Sequence, residues 1–131
     1  MRIVSATLIG LFLSGTPSLA AEPIFVSMIQ LIATPKSFDG KRVIVTGVPR
    51  IEFEGTCLFL HREDYDVGLA PNAIWLAVPR DKYIAWKALE GKYVYVHGIF
   101  SAEDKGHLSV YGGTLRDITR FEVMRSDKES R

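Results

Sequence analysis

Two stretches of the chain repeat one pattern of apolar and polar positions. Gly40-Lys41-Arg42-Val43-Ile44-Val45-Thr46-Gly47-Val48 and Gly91-Lys92-Tyr93-Val94-Tyr95-Val96-His97-Gly98-Ile99 both read Gly-Lys-x-Val-x-Val-x-Gly followed by Val or Ile, 51 residues apart. A period of two puts Val43 and Val45 on one face of a strand, and Val94 and Val96 on one face of another. Both stretches therefore predict strands whose valines face a core. A glycine late in each strand marks the sharp coiling that small barrels need at their corners. Two copies are too few for a stacked solenoid; they predict equivalent places in one closed sheet.

The remaining pattern fills in around them. Ser27 with Gln30 has the spacing of a capping box, and Met28, Leu31 and Ile32 share one helical face before Pro35, so a helix is expected over 27–34. Strand one runs over 41–49, strand two over 57–61 and strand three over 73–78. The polar stretch 62–72, with Asp64, Asp66, Gly68 and Pro71, reads as a loop. Residues 81–90 return to a helical pattern, with Tyr83 and Trp86 on one face and Gly91 as the stop. Strand four covers 92–100. A charged hairpin tip over 102–106 leads into strand five, 107–122, with a bend at Gly112-Gly113. From Arg125 onward the chain is polar and reads as a tail.

The N-terminus has a different grammar. Arg2 precedes an apolar run over 3–13, then Gly15, Pro17 and Ser18-Leu19-Ala20-Ala21. That is the order of a secretory signal peptide, with cleavage expected after Ala20 or Ala21. As a helix the run reaches about half of a ~30 Å hydrocarbon core, so no stable membrane anchor is expected after cleavage. The division expected is thus a signal peptide over 1–20, a domain over 21–124 and a polar tail over 125–131. The destination is the periplasm or the medium.

Composition agrees with one globular domain: 131 residues, 47% hydrophobic and 24% charged. Sixteen basic residues oppose fifteen acidic ones, and loss of Arg2 leaves fifteen of each. No net field remains to steer a charged partner. Cys57 is the single cysteine, so no intramolecular disulfide forms; among Leu58, Phe59 and Leu60 it reads as buried, with a free thiol as the alternative.

Helix, three strands, helix, two strands is the order of an OB-fold, a five-stranded Greek-key barrel. On the two Gly-Lys-x-Val-x-Val-x-Gly strands, Ala73-Ile74-Trp75-Leu76 and the helix 81–90, the chain resembles the small exported OB-fold proteins of bacteria over 38–122. A β-sandwich with an added helix is the competing architecture. The resemblance implies a site on the outer face of strands two and three and on the loops 49–56 and 101–106. Together with the outward positions of strands four and five, this gives as candidate ligand-binding residues Arg50, Glu52, Phe53, Glu54, Phe59, His61, Tyr95, His97, Glu103, Asp104 and Tyr111.

These residues favour some chemistries over others. Single-stranded nucleic acid needs a basic groove lined with aromatics. The aromatics are present, but Glu52 and Glu54 on one loop and Glu103 and Asp104 on the other would repel phosphate. His61, His97 and His107 follow no metal-ligand spacing, and Cys57 lacks a partnered base in sequence. Trp75 and Trp86 read as core, Trp86 packing its helix on the barrel end. The expectation is a non-enzymatic exported binding module without a cofactor. Its ligand would be a protein segment, a small cationic molecule or a saccharide. A nucleic-acid-binding domain and a histidine-based metal site or enzyme are the alternatives.

Overall fold

The structure is a computed structural model, described here for residues 21–126. The expected signal peptide and the last five residues of the tail lie outside the described residues. Six strands and three α-helices follow one another: β1 (Ile24–Phe25), α1 (Met28–Ala33), β2 (Arg42–Arg50), β3 (Cys57–Phe59), α2 (Arg62–Val67), β4 (Ala73–Leu76), α3 (Tyr83–Lys87), β5 (Val94–Ser101) and β6 (Thr114–Val123). Around the sheet the order is β1-β2-β3-β4-β6-β5, and β5 pairs back onto β2. Strands β2 to β6 thus close a barrel, with β4 and β6 parallel and every other barrel pair antiparallel. This is the strand arrangement expected of an OB-fold, with a short β1 added in parallel at the edge of β2.

Val43, Val45, Val94 and Val96 have no solvent exposure, as their alternation predicts, and share a core with Leu58, Ile74, Leu76, Phe100 and Leu115. Ser27 caps α1 in a reciprocal capping box with Gln30, and Met28 and Leu31 are buried against the barrel. At Gly47 a Cβ would lie 2.5 Å from the Phe59 carbonyl oxygen and 2.7 Å from Leu58 Cγ. The glycine is there because β2 must bend tightly against β3, not because of its φ angle. Helix α3 packs Tyr83 and Trp86 against the core, with Trp86 stacked 4.6 Å from Phe121.

Three elements differ from their expected form. The stretch 62–72 is not a loop: it forms α2 and a 3-10 turn, Ala70–Asn72. No residue of α2 is buried, so the helix carries no apolar stripe for a sequence pattern to reveal. Residues 107–113 precede β6 rather than belonging to it, and Leu108 and Ser109 hold left-handed φ angles of 59° and 55°. The expected helix over 81–90 is a 3-10 turn, Arg80–Lys82, running into the shorter α3. Among the described residues no helix is long and apolar enough to cross a membrane.

Candidate functional site

The face on which OB-folds commonly bind is, in this chain, covered by the chain itself. On the outer side of β3 and β4, Cys57, Phe59 and Ala73 join Val48 in a second buried cluster, packed under Tyr65 of α2 and Tyr111. Phe59 is only 2% exposed, so this candidate is a support for α2 rather than an open platform. Arg50 fastens the cover. Its guanidinium lies 5.0 Å from the Phe59 ring and 4.8 Å from the Tyr65 ring, and donates to the Tyr65 carbonyl. A second arginine, Arg62, donates to the carbonyl of Gly91. Cation–π contacts of this kind contribute about 0.5–2 kcal/mol each.

Cys57 lies beneath this cover. Burial pushes its thiol up to about 12, against the opposing influence of Arg50 and of the neighbouring Tyr111 hydroxyl. The Tyr111 hydroxyl is raised in turn, mainly by burial and then by Cys57. A thiol kept protonated at neutral pH is a poor nucleophile.

What remains open is the part of this outer face around Trp75, which stands opposite Cys57 in the β3–β4 ladder. This residue sits on the outward phase of β4, half-buried. One side of it lines a cleft of about 260 Å³ with Glu52, Phe53, Thr56, Val78 and Tyr83. Its other side lies under the β5–β6 connection. A Cβ on Gly106 would stand 2.6 Å from Trp75 Cβ and Cγ, and the Tyr111 ring packs 5.4 Å from the indole. Only glycine permits that approach, at φ +65°. Asp104 holds the turn by accepting from the Gly106 N–H at 3.0 Å. Trp75 is therefore the point at which the two acidic loops meet, a role hidden by its apolar neighbours in the sequence.

The β2–β3 loop is closed by Thr56, whose hydroxyl donates to the Glu52 carbonyl at 2.5 Å and accepts from its N–H at 3.2 Å. At its tip Phe53 is 93% exposed. Glu52 approaches Arg50 at 3.8 Å. Among the described residues, neither Glu54, Glu103 nor Asp104 pairs with a lysine or arginine.

The other candidates fall elsewhere. His61 is exposed at the start of α2, 3.8 Å from Asp64. Tyr95 and His97 lie half-buried on the outer side of β5, where with Phe25, Ile44 and Arg120 they line a separate groove. Partial burial and then Arg120 push the His97 imidazole below its ordinary value. Among the described residues no three His, Cys, Asp or Glu side chains come together as a metal site. Compared with protein-family models, curated proteins and solved structures, the chain matches none.

Proposed function

We propose that the chain is an exported, non-enzymatic binding module of the OB-fold type, and that its site is the cleft beside Trp75. The observation that carries the reading is that Trp75 joins both acidic loops, lining a cleft with Glu52 and Phe53 on one side and lying against Gly106 on the other. Such a site favours a cationic ligand, whether a protein segment or a small molecule, with a saccharide stacked on the indole as the neutral option. Export rests on the sequence of the N-terminal segment.

Two features weigh against the alternatives. Single-stranded nucleic acid would need an open aromatic face with basic flanks, whereas α2 covers Phe59 and Glu52 lines the cleft beside Trp75. Thiol catalysis would need an accessible thiolate, and Cys57 is buried and protonated.

A thermal-shift screen of the purified protein against polyamines, basic and acidic peptides, oligosaccharides and oligonucleotides tests the reading, because a ligand selective for the folded state raises the melting temperature. A cationic or saccharide ligand should raise it, and Trp75→Ala should abolish the rise. Stabilisation by oligonucleotides alone would overturn the reading.

A further inference from the structure

We infer that the occupant of this cleft is a basic polypeptide segment, one that seats an apolar side chain beside Trp75 and sets Lys or Arg side chains against both loops; the inference rests on the binding-module reading above. Three observations favour a segment over a small molecule. The cleft, at about 260 Å³, lies below the ~300–1,000 Å³ usual for sites that enclose a drug-sized ligand. It suits one side chain of a larger partner.

The carboxylates are divided between two loops. Glu52 and Glu54 lie on one, Glu103 and Asp104 on the other; the first loop lines the cleft beside Trp75 through Glu52 and Phe53, and the second touches the indole through Gly106. An ammonium group pairs only within about 4 Å, so a compact cation placed at one loop leaves the other unused. An extended segment, at about 3.3 Å per residue, carries several charges along its length and can place them at both.

Both loops also carry bare apolar side chains. Phe53 is 93% exposed on the first, and Leu108 and Val110, in the turn that continues the second, are 78% and 45% exposed. Leu108 and the following Ser109 are held in left-handed conformations that side-chain-bearing residues adopt at a cost. A strained turn that turns a leucine toward solvent, a few residues after Glu103 and Asp104 in the chain, complements a segment mixing apolar and basic residues. A sugar or a polyamine makes no use of that apolar surface.

The test uses a Trp86→Phe protein, in which Trp75 is the sole tryptophan and a ring remains to stack on Phe121. Its emission is followed at ~150 mM salt during titration with the peptide acetyl-Lys-Leu-Lys-Leu-Lys-amide, its Glu-for-Lys counterpart, spermine and maltohexaose. The basic peptide should give a saturable change that the acidic peptide does not. Removing charge from either loop, in Glu52→Gln/Glu54→Gln or Glu103→Gln/Asp104→Asn, should weaken it by about five- to tenfold, and Leu108→Ser should weaken it as well. These are exposed positions, and unchanged melting curves would verify that the variants fold. Equal or tighter binding of spermine or maltohexaose, or dependence on one loop alone, overturns the segment while leaving a binding module in place. No response to any probe overturns both.

Discussion

Val45 and Val96 stand directly opposite each other in the β2–β5 ladder, both without solvent exposure. About this pair the two copies of the repeated motif run antiparallel, so that the second glycine of each faces the first valine of the other: Gly47 opposite Val94, and Gly98 opposite Val43. The repeat is a local two-fold relation in the strand pair that closes the barrel. It gives the two copies equivalent places in the barrel.

Replacing Val96 by Asp would put a carboxylate with no partner at the centre of that pair. The cost of burying such a group is of the order of a small domain's whole stability, ~5–15 kcal/mol. The expected outcome is loss of cooperative thermal unfolding by circular dichroism. A Val96→Asp protein that melts within a few degrees of the parent would show that β5 does not face the core in this phase.

Gly47→Ala should destabilise through space rather than backbone angle. The added methyl meets a carbonyl of β3 at 2.5 Å, and relieving it means moving β2 away from β3. Overpacking of this kind costs about 1–3 kcal/mol, which lowers the melting temperature by several degrees in a domain of this size. Scanning calorimetry measures it; an unchanged melting temperature would mean that the two strands are less closely apposed.

Cys57 reports on the cover over the β3–β4 face. Because no residue of α2 is buried, the cover is held largely by Tyr65 and by arginine contacts to carbonyls and rings. Arg50→Ala should accelerate modification of Cys57 by a thiol reagent at neutral pH at least tenfold, with little change in overall melting. Unaltered labelling would show that Arg50 does not fasten α2. The same thiol gives a pH signature. Its pKa is raised from 9.0 to about 12 on folding, so unfolding releases a proton between those values. The associated stability is complete below pH 9 and declines as pH rises toward 12. Over that interval the wild-type melting temperature should fall more steeply than that of Cys57→Ala.

Export predicts a defined mature protein. Intact-mass measurement of protein recovered from the periplasm or medium should find a chain beginning at Ala21 or Glu22. A chain that retains Met1 would remove the compartment from the proposed function.

The barrel was legible in the sequence where one local rule decided the outcome. Alternation of Val43 with Val45 and of Val94 with Val96 is set by strand geometry, and the Ser27–Gln30 capping box is a contact four residues wide. The site was less legible because it depends on what covers what. Phe59 has the outward phase expected of a binding residue, yet Tyr65 buries it, from a helix whose sequence, Arg62–Val67, is mostly polar. Trp75 resembles core by its neighbours and becomes central only because Gly106, 31 residues later, folds onto its ring. The acidic loops were visible from their charges; their meeting at a single indole was not.

The central claim is that binding takes place on the open surface beside Trp75 and not on the part of the β3–β4 face that α2 covers. The most direct measurement is an amide NMR titration of the protein with the Lys-Leu-Lys-Leu-Lys peptide. The account predicts that shift changes gather in residues 52–56, 75–78 and 103–111, with α2 undisturbed. Changes concentrated in α2, residues 62–67, or on the Tyr95, His97 and Arg120 face, would contradict it.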